Sequence, residues 1–334
     1  MNCSETMATM EWKRLLNEGD TMFTQLGITP IRIDLPFRLD HVYCFLAEGE
    51  DGWLLIDTGL NDEKTRARWE EIIAGKSLSM IVITHYHPDH IGYAGGLQAK
   101  TGASVAMTKI DEDAAKKVIS TEFLNMLRTH YEKANIPKQL AKEMLDVSTE
   151  FKRAVFPLPN VTHYLRAGAK IKIGRYEYEI LHAPGHSDGM VCFYNQERRV
   201  LLSADHILGE ITPNITYWFF GDENPLRSYL HSLEEVKKLE IDLVIPSHGE
   251  PFQNAAKRIE EMIRHHDERL EETLRILKTH ETVYDICQQL FSKRLNVHDF
   301  RFGIGETIAH LEYLRAEGAC VREEEKGKWI YRRR

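Results

Sequence analysis

Seven consecutive residues, Thr84-His85-Tyr86-His87-Pro88-Asp89-His90, constrain this chain more than any other feature. They place three imidazoles and one carboxylate directly after the β-branched run Ile81-Val82-Ile83. A short apolar run of that kind reads as a buried strand, so the cluster sits on a loop at a strand end. Neutral imidazole is the commonest zinc ligand, and carboxylate suits harder divalent ions as well. Such a loop can turn its side chains onto neighbouring cations when a rigid sheet edge holds it.

Four more segments repeat the arrangement. Asp57 follows Leu54-Leu55-Ile56, and Asp205 follows Leu201-Leu202-Ser203-Ala204. His186 lies in Pro184-Gly185-His186-Ser187, and His248 in Ile245-Pro246-Ser247-His248. Each stands at or just beyond the end of an apolar strand, displayed on a loop but anchored by the sheet. Gly185-His186-Ser187-Asp188-Gly189 also matches the Gly-x-Ser-x-Gly pattern of serine hydrolases. That chemistry needs a turn from strand into helix, whereas Met190 to Tyr194 reads as a strand, so the match is a by-product of the histidine motif.

Over residues 28 to 255 the sequence resembles the metallo-β-lactamase superfamily, whose five motifs occur here in order. The resemblance implies an α/β fold, a four-layered αββα sandwich with metals at one edge of two sheets. It implies that His85, His87 and His186 bind a first metal, that Asp89, His90 and His248 bind a second, and that Asp205 bridges them. Asp57 would orient a ligand or the metal-bound water from outside. Two divalent ions are expected, zinc first, with iron or manganese as alternatives. Lactamases commonly have cysteine where Asp205 stands, and flavodiiron proteins usually have glutamate at His87. The pattern looks instead like the glyoxalase II, lactonase and ribonuclease branches.

The expected activity is hydrolysis by a metal-activated hydroxide, on a small thioester, ester or lactone. Asp89 is the candidate for proton transfer, and Tyr217 a candidate donor to the substrate oxyanion. Two other chemistries stay open: cleavage of single-stranded RNA, and an iron-dependent sulfur dioxygenase. A binding module without turnover is the non-enzymatic alternative.

The rest of the chain supplies context. Residues 10 to 24 suggest a short helix or arm. A helical stretch over 111–156 interrupts the strand pattern and reads as an insertion that caps the substrate pocket. From 257 to 334 the pattern changes to a long charged helix, helices at 283–291 and 307–317, and a terminal hairpin. The expected organisation is a catalytic domain over 1–256 and a winged-helix-like domain over 257–334. The formal net charge of -8 argues against bulk binding to nucleic acid or anionic membranes. Five cysteines without Cys-x-x-Cys spacing read as reduced thiols. With no apolar span and no evident signal peptide, the expectation is a cytoplasmic enzyme without membrane contact, acting on a small acyl substrate, with a homodimer as the favoured oligomer.

Overall fold

In a computed structural model, residues 21–36, 39–49, 51–291 and 295–334 are described. Cys3 and most of the expected N-terminal helix or arm lie outside them. What is described begins with α1 (Thr21–Leu26) and then a meander of β1 (Ile28–Asp34), β2 (His41–Gly49) and β3 (Gly52–Ile56). After α2 (Glu63–Ile72) the chain adds β4 (Leu78–Val82), α3 (Pro88–Ile91), α4 (Ala94–Thr101) and β5 (Ser104–Met107). Three helices follow, α5 (Lys109–Val118), α6 (Thr121–Lys133) and α7 (Lys138–Val155), before β6 (His163–Tyr164). These strands form a six-stranded sheet in the order β1 to β6, antiparallel through β3 and parallel from β3 to β6.

The second sheet contains β7 (Lys170–Ile173), β8 (Tyr176–His182), β9 (Val191–Asn195), β10 (Val200–Ala204) and, after α8 (Pro225–Lys237), β11 (Leu243–Pro246). Its order is β11-β10-β9-β8-β7. Alternation along the strands explains the layering. Phe45, Leu54, Ile56 and Val82 of the first sheet share one core with Val191, Phe193, Leu202 and Ile245 of the second. The intervening residues Cys44, Leu55, Ile81, Cys192, Leu201 and Val244 face outward into the larger core beneath the helices. Strands buried on both faces need helices outside both sheets, which is the four-layered sandwich expected.

The chain ends with α9 (Ala255–Ile276), α10 (Val283–Leu290), α11 (Val297–Ala316) and the hairpin β12 (Cys320–Glu325) and β13 (Lys328–Arg333). Here α11 starts ten residues before the helix read from the sequence. Gly303 and Gly305 hide its first half, because glycine in a helix costs about 1 kcal/mol relative to alanine. Both glycines are close-approach points. Gly303 faces Leu295, Phe291 and Cys287, and a Cβ at Gly305 would overlap the Thr216 side chain. The Gly305 carbonyl also accepts the Tyr217 amide at 3.1 Å, so α11 is docked on the loop that follows β10.

Gly305→Ala is therefore expected to destabilise the protein by about 1–3 kcal/mol through overpacking, read from chemical denaturation. An unchanged midpoint would show that α11 is not held in this register.

Candidate metal centre

Every expected site residue of the metal centre lies beyond the C-terminal end of a strand: Asp57 after β3, His85 to His90 after β4, His186 after β8, Asp205 after β10 and His248 after β11. Two of these ends are strained. Asp57 has φ 58°, and Ala204, immediately before Asp205, has φ 47°. A left-handed alanine is uncommon, and it coincides with a register shift between Leu202 and Ala204 where β10 pairs with β11. Bulges of this kind re-aim the next side chain, here Asp205.

The loops bring the side chains together in overlapping triads. His85, His87 and His186 place one nitrogen each within 4.8 Å of one another, as do the donor atoms of His85, His90 and Asp205, and those of Asp89, His90 and His248. His87 Nδ1 lies 2.8 Å from His186 Nε2. His248 Nε2 lies 3.3 Å from both Asp89 Oδ2 and Asp205 Oδ2, and His90 Nε2 3.4 Å from Asp205 Oδ1.

The opposite nitrogens are fixed from behind. His90 Nδ1 meets Asp57 Oδ2 at 2.8 Å, and Asp57 in turn accepts the Thr84 amide and hydroxyl. His248 Nδ1 donates to the His41 carbonyl at 2.6 Å, and His186 Nδ1 to the Asn214 carbonyl at 2.9 Å. Meanwhile His85 Nε2, His90 Nε2, His248 Nε2 and Asp205 Oδ1 are buried with no hydrogen-bond partner. Buried polar atoms are normally satisfied. Four that converge on one centre fit cations, which would take the lone pairs these atoms offer.

Electrostatics agree. Burial, with neighbouring imidazoles, holds His85 and His87 well below the usual histidine range, which favours the neutral ligating form. Burial opposes charge on His90 too, but Asp205, Asp89 and Asp57 outweigh it and push that imidazole well up. His248 is likewise raised to about 10 against its burial, chiefly by Asp205. Burial would raise Asp205, yet His248 and His90 hold it well below the usual carboxylate range. The carboxylates thus demand positive charge at this spot, and a divalent cation would supply it while displacing protons.

Tyr217 does not join the cluster. Its ring packs edge-on against Phe219 at 5.6 Å, and its charged neighbours are Glu312, Arg322, Glu223 and Arg315. The docking of α11 on its backbone turns it to the C-terminal side, while Trp218 beside it faces the cavity. Nor does the helical insertion wall that cavity. The space of about 420 Å³ is lined by His87, Asp89, His186 and Asp205 on one side and by Trp218, Phe291, Leu295 and Phe302 on the other. The wall comes from α11, from Phe291 and Leu295 just before it and from the loop after β10, with α7 packed behind α11.

Asp111 was not singled out in the sequence. It accepts the Tyr86 amide at 3.0 Å, the Ser187 hydroxyl at 2.7 Å and the Gly189 amide at 2.8 Å. One carboxylate thereby ties the His85–His90 loop to the His186 loop. Burial pushes its carboxyl up to about 7, against the pull of those three donors.

The model of the family described as "Metallo-beta-lactamase superfamily" matches residues 38–248, and that of "Metallo-beta-lactamase-like, C-terminal domain" matches residues 270–334. The Bacillus subtilis protein named "Probable metallo-hydrolase YqjP" is 25% identical over 311 residues, covering 89% of this chain and 95% of that one. Among solved structures, a beta-lactamase domain protein from Burkholderia ambifaria is 29% identical with a TM-score of 0.82, covering 92% of both chains. TTHA1429, a metallo-beta-lactamase family protein of Thermus thermophilus, is 29% identical with a TM-score of 0.81, covering 92% of this chain and 99% of that one.

Asp111→Asn turns one amide edge against its hydrogen-bond donors. A loss of about 1.5–3 kcal/mol of stability, together with reduced metal retention on dialysis, is expected. Retention of metal like the unaltered protein would show that the two loops do not depend on this carboxylate.

Proposed function

The chain belongs to the metallo-beta-lactamase superfamily, and on that premise we propose that it is a binuclear metal-dependent hydrolase of small thioesters, esters or lactones. The observation that carries this reading is a donor set opening into a half-open, mainly apolar cavity of about 420 Å³. That volume suits a small molecule. Proteins named for acyl chemistry are also similar over part of the chain. They include an atrochrysone carboxyl ACP thioesterase of Aspergillus fumigatus, 24% identical over 63% of this chain and 51% of its own. Another is the hydroxyacylglutathione hydrolase GloC of Haemophilus influenzae, 26% identical over 47% of this chain and 62% of its own.

In this proposal His85, His87 and His186 hold one cation, Asp89, His90 and His248 the other, and Asp205 lies between them. Zinc is the first choice, with iron or manganese as alternatives. Divalent ions in such a site acidify water and polarise a substrate oxygen. The chain's own residues do the rest. Asp57 and the carbonyls of His41 and Asn214 fix the tautomers of His90, His248 and His186. Trp218, Phe291 and Phe302 exclude water and seat the apolar part of the substrate. Asp89 has Oδ2 turned to His248 and His90, which leaves Oδ1 to hold or pass a proton.

The division into a catalytic domain over 1–256 and a winged-helix-like domain over 257–334 belongs to the proposal, with the second part supplying the far wall. So do a cytoplasmic location and a homodimer. Among the described residues no helix is long and apolar enough to cross a membrane.

A screen of thioesters, lactones and a single-stranded RNA tests the reading. Acyl turnover that is lost on chelation and restored by a divalent ion is expected. RNA cleavage alone, or oxygen consumption with a persulfide and no hydrolysis, would replace it with one of the other two chemistries. Asp57→Asn is expected to lower acyl turnover or metal affinity by about 10–100-fold. No change in either would remove Asp57 from the role given to it.

A further inference from the structure

Across the cavity from the histidines, α11 carries an arginine with unusual surroundings. Arg301 lines the 420 Å³ cavity and also a neighbouring one of about 390 Å³, and the two meet at Pro88, His298 and Arg301. Its guanidinium lies over two nearly perpendicular rings, 5.7 Å from the centre of Trp218 and 4.8 Å from that of Phe302. Its Nε is buried without a hydrogen-bond partner.

Other partly buried arginines of the chain are paired. Arg258 meets Glu261 and two carbonyls, Arg269 meets Glu272 and the Leu290 carbonyl, and Arg322 meets Glu312. Arg301 has no such partner among the described residues. The groups that act on its charge are the phenols of Tyr131 and Tyr86, and no carboxylate is among them. Glu306 shares the cavity lining, but it accepts the Asn214 amide at 2.9 Å and burial favours its neutral form. A desolvated charge with no counter-ion is costly, and contact with the rings offsets only part of that cost. A planar fork fixed by two rings and open to a cavity is suited to a bidentate oxyanion.

We propose that Arg301 binds an anionic group on the substrate, carboxylate or phosphate, and thereby selects acyl esters or thioesters that carry such a group away from the scissile bond. This rests on the hydrolase reading given above. Trp218 and Phe302 line the same cavity and match an apolar spacer between the reacting carbonyl and the anion. Arg301 is a specificity residue in this account, in contact with substrate but not with the reacting atoms.

The test compares thiophenyl esters of hexanoate, adipate and 6-phosphonohexanoate, with the 4-carboxythiophenyl ester of hexanoate as the leaving-group arm. At least one anionic ester is expected to exceed the neutral one about tenfold in kcat/KM, mainly through KM. Which ester wins separates carboxylate from phosphate and the acyl side from the leaving group. Arg301→Met is expected to abolish that roughly tenfold preference, the worth of a charge-assisted contact, and Arg301→Lys to keep part of it. In a second readout, adipate and inorganic phosphate are added to the metal-loaded protein. At least one should raise its melting temperature, and the shift should vanish in Arg301→Met. Hydrolysis with no anionic preference, or a preference that survives in Arg301→Met, overturns the proposal and leaves the hydrolase reading standing. An Arg301-dependent shift without hydrolysis of any ester does the reverse. If Arg301→Met does not fold, the ester preference of the unaltered protein and the Arg301→Lys variant decide the matter.

Discussion

Three carboxylates and five imidazoles, most of them buried, within reach of one another where strands of both sheets end, set the terms for everything around them. Asp57, Asp205, His85, His90 and His248 are each no more than 5% exposed. Desolvated carboxylates are tolerated only where charge or hydrogen bonds compensate. Asp57 is satisfied by Thr84 and His90, whereas Asp205 and Asp89 look to His90 and His248. Protons on those imidazoles meet the demand in the absence of cations, and divalent ions would meet it better because they also take up the orphaned nitrogens. The left-handed backbone at Asp57 and Ala204 is intelligible in the same terms. Local strain of about 1–3 kcal/mol is accepted where it aims a ligand.

Much of this was legible in the sequence because chemistry and periodicity coincided. Each ligand sits at the end of a strongly apolar strand, so the strand pattern and the histidine pattern locate the same edge. Strands such as Ile28–Asp34 and Tyr176–His182 were readable from short apolar and β-branched runs between turns, and the long α9 from its charge. Asp111 was not readable, because a lone acid in the first turn of a helix looks like an ordinary N-terminal residue. Its role depends on Tyr86, Ser187 and Gly189 arriving from two other loops. Tyr217 was misleading for the opposite reason. Its place after Asp205 suggested the cavity, but hydrogen bonding of its amide to Gly305 turns its ring away and presents Trp218.

The C-terminal segment shows why the insertion was misjudged as the pocket wall. Sequence order places 111–156 near the metal motifs, while the chain reaches the cavity again only after α9 and α10. Gly303 and Gly305 allow α11 to lie close to α10 and to the loop after β10, and this proximity delivers Phe302 and Arg301 to the cavity. Close packing at glycine is a tertiary effect that propensity opposes, so the helix start was read too late. The insertion serves as a buttress to the first cavity, with α7 packed on α11, while Val147, Glu150, Arg153 and Ala154 of α7 line the neighbouring cavity that meets it at Arg301. The candidate metal ligands, at residues 85–248, and most of the far wall of the cavity, at residues 291–306, thus come from different parts of the chain, joined through the Asn214–Glu306 contact.

The central claim is that the buried carboxylates and imidazoles hold two divalent cations. Elemental analysis of protein purified without added metal, with the metal-to-chain ratio fixed by amino-acid analysis, tests it most directly. About two divalent ions per chain are expected for a two-metal site, falling to one or fewer in Asp205→Ala. A ratio near zero after incubation with zinc, iron or manganese, or a single iron per chain that Asp205→Ala does not disturb, would contradict it.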